Sequence, residues 1–541
     1  MNSESNEGSL LAALDEDQRL AAQTLRGPVC IIAGAGTGKT RTVSHRIALG
    51  IEKGVYAPNR VLALTYTNRA AAELRIRLRE LGAAGVQVRT FHSAALSQLQ
   101  FFWPQLTGSL APKLATNKAA LIKEVVTSKN LRLAEGAIRE VVAEIEWLKY
   151  SMVSPSEYQK LERTEVAGMD STVFLEIAAD YEALKQSKRV MDWEDVLLLT
   201  IGMLRSEARM LAHVQQQFRF FTVDEYQDIS PLQQALLETW LGEREDLCVV
   251  GDPRQTIYSF SGASQSFLLG FESRYPNAEV IELNRNYRSG VQIVDLANRV
   301  AKYSELKPVR SHTSTPKLVA AKSAQAEVDL CIEEVLNALR NDTPPSEIAV
   351  LTRINNQLDP LEQALQAKGI QVQVRGAGRF FRRSEVLQVL TALRALQVSE
   401  QTNPLFIEVS NIVSSLGWKS SGPRDEKWLG LNWFFEVLEE LGENVSLDEY
   451  LRELQERERS GHEPIQNAVT LATLHSTKGL EWSHVSLFGL NQGLLPISYA
   501  QDEAAMAEEK RLFYVGITRA KDTLTISWNA QKPVSEFLDL K

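Results

Sequence analysis

Short apolar runs ending in glycine or polar corners recur along this chain and alternate with stretches of helical spacing. Val29 to Ala33, 61–65, Phe220 to Val223 and 247–250 are nearly unbroken Val, Ile, Leu, Cys, Ala or Phe. That is the pattern of parallel strands buried on both faces. Segments such as 39–47 and 68–78 carry the Ala, Leu, Arg and Glu spacing of helices that cover such a sheet. After residue 280 the alternation resumes at 345–353, 371–375, 469–490 and 508–528, which predicts a second parallel-sheet core. Residues 108–191 and 387–465 lack strand rhythm and read as helical insertions. Asp15, Ser154 before Pro155, and Asp192 are read as helix starts, and the polar lead 1–13 as disordered. The expectation is an α/β protein with one core from 1–107 and 192–279 and another from 280–386 and 466–541.

Composition narrows the setting. With 541 residues, 44% hydrophobic and 23% charged, the chain is long enough for several ordinary cores. Cys30, Cys248 and Cys331 lie far apart without a CxxC pair, which argues against a disulfide framework or structural zinc and fits a reducing cytoplasm. No apolar run is long enough to span a bilayer, and the first residues lack a signal peptide's basic and apolar regions. A cytoplasmic protein with no membrane partner is expected. Net charge is −9, so any polynucleotide must be held in a local groove rather than by overall charge.

The candidate chemistry gathers at the ends of the predicted strands. Ala33, Gly34, Ala35, Gly36, Thr37, Gly38, Lys39, Thr40 and Arg41 stand between a strand and a helix. They match the phosphate-binding P-loop, with Ala33 where the strict pattern has glycine. The glycines let backbone N–H groups converge on an anion at a helix N-terminus. Lys39 would reach the β- and γ-phosphates, and the Thr40 hydroxyl would hold Mg²⁺. Asp224 and Glu225 end a buried strand, the arrangement in which the first carboxylate serves the metal and the second handles the attacking water. Gln18 can donate and accept at once, as an adenine edge requires. Tyr66 sits where a strand ends. Thr90, Phe91 and His92 occupy the next strand-to-helix corner, where a Phe-His pair is more often core than binding group. Further along come Gln255, Tyr258 and Phe260 after a Gly-Asp-Pro turn, Tyr287 and Arg288 after a strand, His475 and Glu481 in one turn, and Arg519 at a helix end.

LxxxQ, AGAGTGKT, TYTNRAA, TFHS, VDEYQD, GDPRQTIYSFSGA, NYRS, LHSTKGLEW and YVGITRAK fall in the order and rough spacing of one family. Over nearly its whole length the chain resembles the UvrD/Rep/PcrA-like superfamily 1 DNA helicases, most of all the shorter actinobacterial type. The resemblance implies two RecA-like parallel-sheet cores, each carrying an inserted helical subdomain, 108–191 in the first and 387–465 in the second, with ATP and Mg²⁺ in the cleft between the cores. It implies that Gln18 reads adenine, Tyr287 stacks on it and Glu481 binds the ribose. Gln255 would sense the γ-phosphate, and Arg288 and Arg519 would approach it. Tyr66, Asn68, Thr90, Phe91, His92, Tyr258, Phe260 and His475 would meet DNA. The activity implied is 3′-to-5′ translocation on single-stranded DNA and unwinding of DNA with a 3′ single-stranded tail, in repair or replication, with protein partners in repair. An alternative is a translocase that strips proteins from DNA and unwinds little alone. Two departures stand out: the second insertion is shorter than in the larger relatives, and Phe260 replaces the Trp that usually ends the third motif. The chain also stops at Lys541 without the cysteine cluster and accessory module some actinobacterial relatives carry.

Overall fold

The inner strands of the first sheet are buried and mostly apolar on both faces because helices cover both. The computed structural model describes residues 10–115, 117–161, 165–301, 306–375, 380–397, 403–422, 426–442, 445–460 and 467–539. The chain divides into two compact units, Met1–Ala33 with Gly38–Leu283 and Gly34–Thr37 with Asn284–Lys541. In the first unit, β1 (Val29–Ala33), β2 (Val61–Thr65), β3 (Gln87–Thr90), β4 (Phe220–Val223), β5 (Leu247–Gly251) and β6 (Glu279–Leu283) form a six-stranded sheet. Its order is β6-β1-β5-β4-β2-β3, and every pairing is parallel. Side chains alternate across the pleat. Val29 and Ile31 pack with Val43 and Ile47 on one face, while Cys30 joins Leu64, Phe221 and Trp240 on the other.

The helices begin where the sequence signals them. Asp15 caps α1 (Glu16–Gln23) in a reciprocal capping box, Ser154 caps the turn that opens with Pro155, and Asp192 caps Trp193–Ser206. The helices within 118–188 bury a separate cluster that includes Ile122, Val141, Tyr158, Phe174 and Tyr181. Where this stretch returns to the sheet, Asp192 accepts from Lys149 at 2.9 Å and Lys185 at 2.8 Å. The carboxylates of Glu182, Asp192 and Asp195 lie together there, and these two lysines pair with all three, so each already has a cationic partner.

The second unit repeats the architecture. Strands β7 (Lys317–Ala321), β8 (Ile348–Thr352), β9 (Val372–Arg375), β10 (Val469–Thr473), β11 (Trp482–Leu487) and β12 (Ala520–Asn529) form a sheet of order β7-β12-β11-β8-β10-β9. It too is parallel throughout. Helices from Ser384 to Ser460 surround their own core of Val386, Trp433, Phe434 and Tyr450. The α/β fold with two parallel-sheet cores is thus the architecture of the chain.

Several details differ from the sequence reading. Residues 280–283, assigned above to the second core, lie in β6 and pair with β1; an edge strand's partner is decided by tertiary pairing, not by its own sequence. Strand β7 went unread because its residues are largely exposed, so the apolar run that marks a buried strand is missing. Phe380, Phe381 and Val386 pack into the helical cluster rather than with the second sheet. Residues 10–12 are helical and Leu10 is buried, so the lead is not disordered as far as residue 13; residues 1–9 lie outside the described residues, as do 376–379 and parts of 387–465. All three cysteines are buried and unpaired with one another, and among the described residues no helix is long and apolar enough to cross a membrane.

Candidate nucleotide and nucleic-acid site

The loop after β1 has the conformation its glycines permit. Gly36 and Gly38 have φ of 69° and 81°, a region costly for residues with a Cβ. A Cβ on Gly38 would also lie 2.8 Å from Gln18 Nε2, and one on Gly36 would lie 2.7 Å from Asn286 Nδ2. Thr37 Oγ1 donates to Gly34 O at 2.9 Å. Asn286 Nδ2 donates to Ala35 O at 2.7 Å and Tyr287 N to Gly36 O at 2.8 Å. Helix α2 (Lys39–Glu52) starts at Gly38 with no side-chain cap, so its first N–H groups are left for an anion. Lys39 and Thr40 are half-buried there, and Arg41 is exposed. This cradle fits a nucleotide phosphate chain. Gln18 is buried, and its carbonyl accepts from Asp15 N at 3.2 Å as part of the capping box.

Beside the loop, β4 delivers Asp224 and Glu225. Glu225 has φ of 54°, a strained conformation of the kind found where function fixes a side chain. Its Oε1 lies 3.6 Å from Lys39 Nζ, and its Oε2 accepts from Gln227 Nε2 at 2.6 Å. Gln227 Oε1 in turn accepts from Asp252 N at 3.0 Å, and Asp252 Oδ2 accepts from Gln255 Nε2 at 2.9 Å. One buried polar chain therefore links Lys39, Glu225, Gln227, Asp252 and Gln255, fixing two strand ends relative to each other. Gln227 was not singled out from sequence. Its signal was its place in the VDEYQD motif, two residues beyond Glu225. Gly251 is required here, because a Cβ would come within 2.5 Å of Gln227 Oε1.

Burial, then the neighbouring Glu225 charge, push the Asp224 carboxyl up to about 7, against the pull of Lys39. An acid buried this way suits a divalent cation, whose charge offsets the desolvation. The sign of its effect on folding follows. The folded pKa lies above the unfolded value, so the folded state holds an extra proton between about pH 4 and 7. Stability without ligand falls as pH rises through that window. Asp224→Asn is expected to raise the ligand-free melting temperature at pH 8 and to lose that advantage toward pH 4. Thermal melts across pH check this; a variant less stable than the parent at pH 8 would contradict it.

In the second unit, Arg288 and Glu481 form an ion pair at 2.5 Å, and Lys521 lies 3.5 Å from the same carboxylate. Burial pushes Glu481 up, but Arg288 and Lys521 outweigh it and hold the carboxyl below its usual range. The residue expected to bind ribose is thus engaged by cations in this structure. Arg288 Nη1 also donates to Thr518 O at 3.1 Å. Arg519 is only 1% exposed. Its Nε donates to Val515 O, Nη1 to Leu480 O and Nη2 to Thr518 Oγ1, at 3.0, 3.0 and 3.1 Å. Its guanidinium thus donates to three acceptors within its own unit. Tyr287 is partly exposed.

The residues expected to meet DNA divide sharply. Tyr66 follows β2, and its ring stacks on Tyr258 with centroids 5.4 Å apart and planes at 11°. Phe260 is 60% exposed, edge-on to Tyr258 at 6.1 Å. These three make an aromatic group at the C-terminal edge of the first sheet, where open α/β sheets bind ligands. Asn68 opens the helix Asn68–Glu80 and is buried. Phe91 and His92 are not open faces. Phe91 stacks on the core residue Trp240. His92 is buried between Tyr150, 3.1 Å from its Nε2, and Trp193. The apolar helix they begin is covered on the sheet side, so core packing wins. Thr90 is spent on capping that helix. His475 is half-buried; burial, then the charge of Arg353, lower its pKa to about 4, so it is neutral at pH 7. Because Phe260 is solvent-exposed, Phe260→Ala should leave the melting temperature unchanged. It should weaken single-strand binding by about 1–3 kcal/mol, the worth of one stacked base, and slow translocation. A destabilised variant with normal DNA affinity would remove Phe260 from the DNA path.

Comparison with known proteins agrees with this geometry. The family model of the UvrD/REP helicase N-terminal domain matches residues 14–276, and that of the UvrD-like helicase C-terminal domain matches 281–422 and 397–531. The chain is 40% identical over 556 aligned residues to proteins of Mycobacterium bovis and Mycobacterium tuberculosis named ATP-dependent DNA helicase UvrD2. That match covers 96% of this chain and 79% of theirs. It is 29% identical to a Staphylococcus epidermidis protein named ATP-dependent DNA helicase PcrA, across 96% of this chain and 84% of that one.

Proposed function

The chain belongs to the UvrD/REP helicase family and is an ATP-dependent DNA helicase of the UvrD/PcrA type; from that premise we propose that it moves 3′ to 5′ along single-stranded DNA and unwinds duplexes carrying a 3′ single-stranded tail. The observation that supports coupled translocation is the chain formed by the Lys39–Glu225 ion pair and the hydrogen bonds from Glu225 through Gln227 and Asp252 to Gln255, with the aromatic ring of Phe260 five residues beyond; the polarity is inferred from the family. A shift at the phosphates has a short, packed route to a DNA-facing side chain.

In this reading the loop from Ala33 to Arg41 holds the phosphates, Gln18 and Tyr287 hold the adenine, and Glu481 the ribose. Thr40 and Asp224 would hold Mg²⁺, which when bound neutralises phosphate charge. Glu225 orients and deprotonates the attacking water, Gln255 senses the terminal phosphate, and Arg288 and Arg519 supply cations to it. For the ribose role, Glu481 must exchange Arg288 and Lys521 for the sugar hydroxyls. For the arginine role, Arg519 must exchange backbone carbonyls for phosphate oxygens. Tyr66, Tyr258 and Phe260 give stacking faces that tolerate any base, which lets a chain of net charge −9 grip a single strand.

ATPase rates without nucleic acid, with single-stranded DNA and with single-stranded RNA, alongside unwinding of 3′- and 5′-tailed duplexes, test the reading. Strong stimulation by DNA and preference for the 3′ tail are expected. Absent DNA stimulation overturns it, and a 5′ preference overturns the polarity. The short second insertion, 387–465, favours a second reading in which the chain displaces proteins from DNA and needs a partner in repair to unwind well. Protein displacement without strand displacement by the isolated chain would select it.

A further inference from the structure

A strand moved by two cores has to be held by each in turn. The aromatic faces named so far for DNA, Tyr66, Tyr258 and Phe260, all belong to the first unit, whereas the motifs of the second unit offer DNA only the half-buried His475. At the C-terminal edge of the second sheet, β8 ends at Thr352 and β10 at Thr473, so Arg353 and His475 follow strand ends at the edge where ligands meet such sheets. Arg353 makes a bidentate pair with Glu509, its Nε 3.0 Å from Oε2 and its Nη2 2.6 Å from Oε1. Glu509 Oε2 also accepts from Ile497 N at 3.0 Å.

That carboxylate ties the loop after β11 to the sheet edge. The loop is braced further along its length. Leu495 N donates to Asn491 O and Ala500 N to Ile497 O, both at 3.0 Å. The buried Asn491 donates through Nδ2 to Asn529 O and Pro533 O, each at 3.0 Å. From this rigid support Tyr499 stands 72% exposed, beside the Arg353 guanidinium. A large ring held in water by an ordered loop contributes nothing to the core, and it forfeits little freedom when a flat partner arrives.

Building on the single-strand translocation reading, we infer that Tyr499 is a base-stacking residue through which the second unit holds the DNA strand. The ring supplies a sequence-tolerant face, and the Arg353 guanidinium lies beside it.

The test compares Tyr499→Ala and Tyr499→Phe in the full chain, using a fluorescently labelled oligo-dT strand. Tyr499→Ala should weaken binding by about 5- to 150-fold and raise the DNA concentration giving half-maximal ATPase by the same factor. Its melting temperature should equal the parent's. Tyr499→Phe keeps the ring and should bind within about threefold of the parent. Parental affinity in Tyr499→Ala overturns the inference, and so does a Tyr499→Phe variant that falls as far as Tyr499→Ala while melting earlier, since Tyr499 would then be a brace for Arg353. Failure of the parent chain itself to bind oligo-dT overturns the translocation reading as well, whereas normal parental binding with a silent Tyr499→Ala removes this inference alone.

Discussion

Replacing Arg519 by Ala is expected to slow ATP hydrolysis by about 10³-fold or more, the scale at which a cation supplied to a transferring phosphoryl group acts. The structure adds a second consequence. Arg519 is fully buried and donates to Val515 O, Leu480 O and Thr518 Oγ1, so truncation strips partners from buried acceptors at about 1–3 kcal/mol each. Arg519→Ala should therefore melt several degrees earlier as well as turn over slowly. Arg519→Lys separates the two effects. It keeps a charge but not the rigid fork, so it should regain part of the stability while hydrolysis stays strongly impaired. Single-turnover hydrolysis, measured below the melting transition and corrected for the folded fraction, is the deciding measurement. A normal rate per folded molecule in both variants would make Arg519 a brace between the helix Glu503–Ile517 and the turn at Leu480, and the arginine role would pass to Arg288 alone.

Glu225→Gln should leave ATP binding within a few-fold of the parent and reduce hydrolysis at least about 100-fold, the usual contribution of a general base. The surroundings make this a clean substitution. Glu225 already occupies its left-handed backbone conformation, which Gln tolerates no worse, and a carbonyl oxygen at the same place still accepts from Gln227 Nε2. What disappears is the negative charge facing Lys39 and the capacity to take a proton. Nucleotide binding followed by fluorescence, beside steady-state hydrolysis, reads both quantities. Loss of binding in step with hydrolysis would mean that Glu225 holds the loop together through Lys39 rather than handling water.

Much of this protein was legible without coordinates. A buried parallel strand has to be apolar on both faces, so β1, β2, β4, β5, β8 and β10 announce themselves as apolar runs, and the helix caps at Asp15, Ser154 and Asp192 are local hydrogen bonds between near neighbours in sequence. The phosphate loop is equally local. Its positive φ values at Gly36 and Gly38 are demands that only the residue at each position can meet. Asp224 and Glu225 could be read as a functional pair because a charged pair ending an apolar strand has few other uses.

What the sequence left open was decided by partners far along the chain. Strand β6 belongs to the first sheet because β1 offers it a parallel edge, a fact absent from residues 279–283 themselves. Phe91 and His92, which the family resemblance offers to DNA and residue habits assign to the core, are core in the structure because Trp240, Tyr150 and Trp193 pack against them. Phe260 could have been either, and its exposure decided for the surface. Gln227 stands in the VDEYQD motif without a role that the sequence assigns to it, and Tyr499 lies in none of the motifs. Gln227 matters because Asp252, on the neighbouring strand end, donates to it. Tyr499 is a candidate because Glu509 and Asn491 hold its loop in place. Hydrogen bonds and packing between residues distant in sequence depend on where the chain returns, and only the tertiary structure specifies that return.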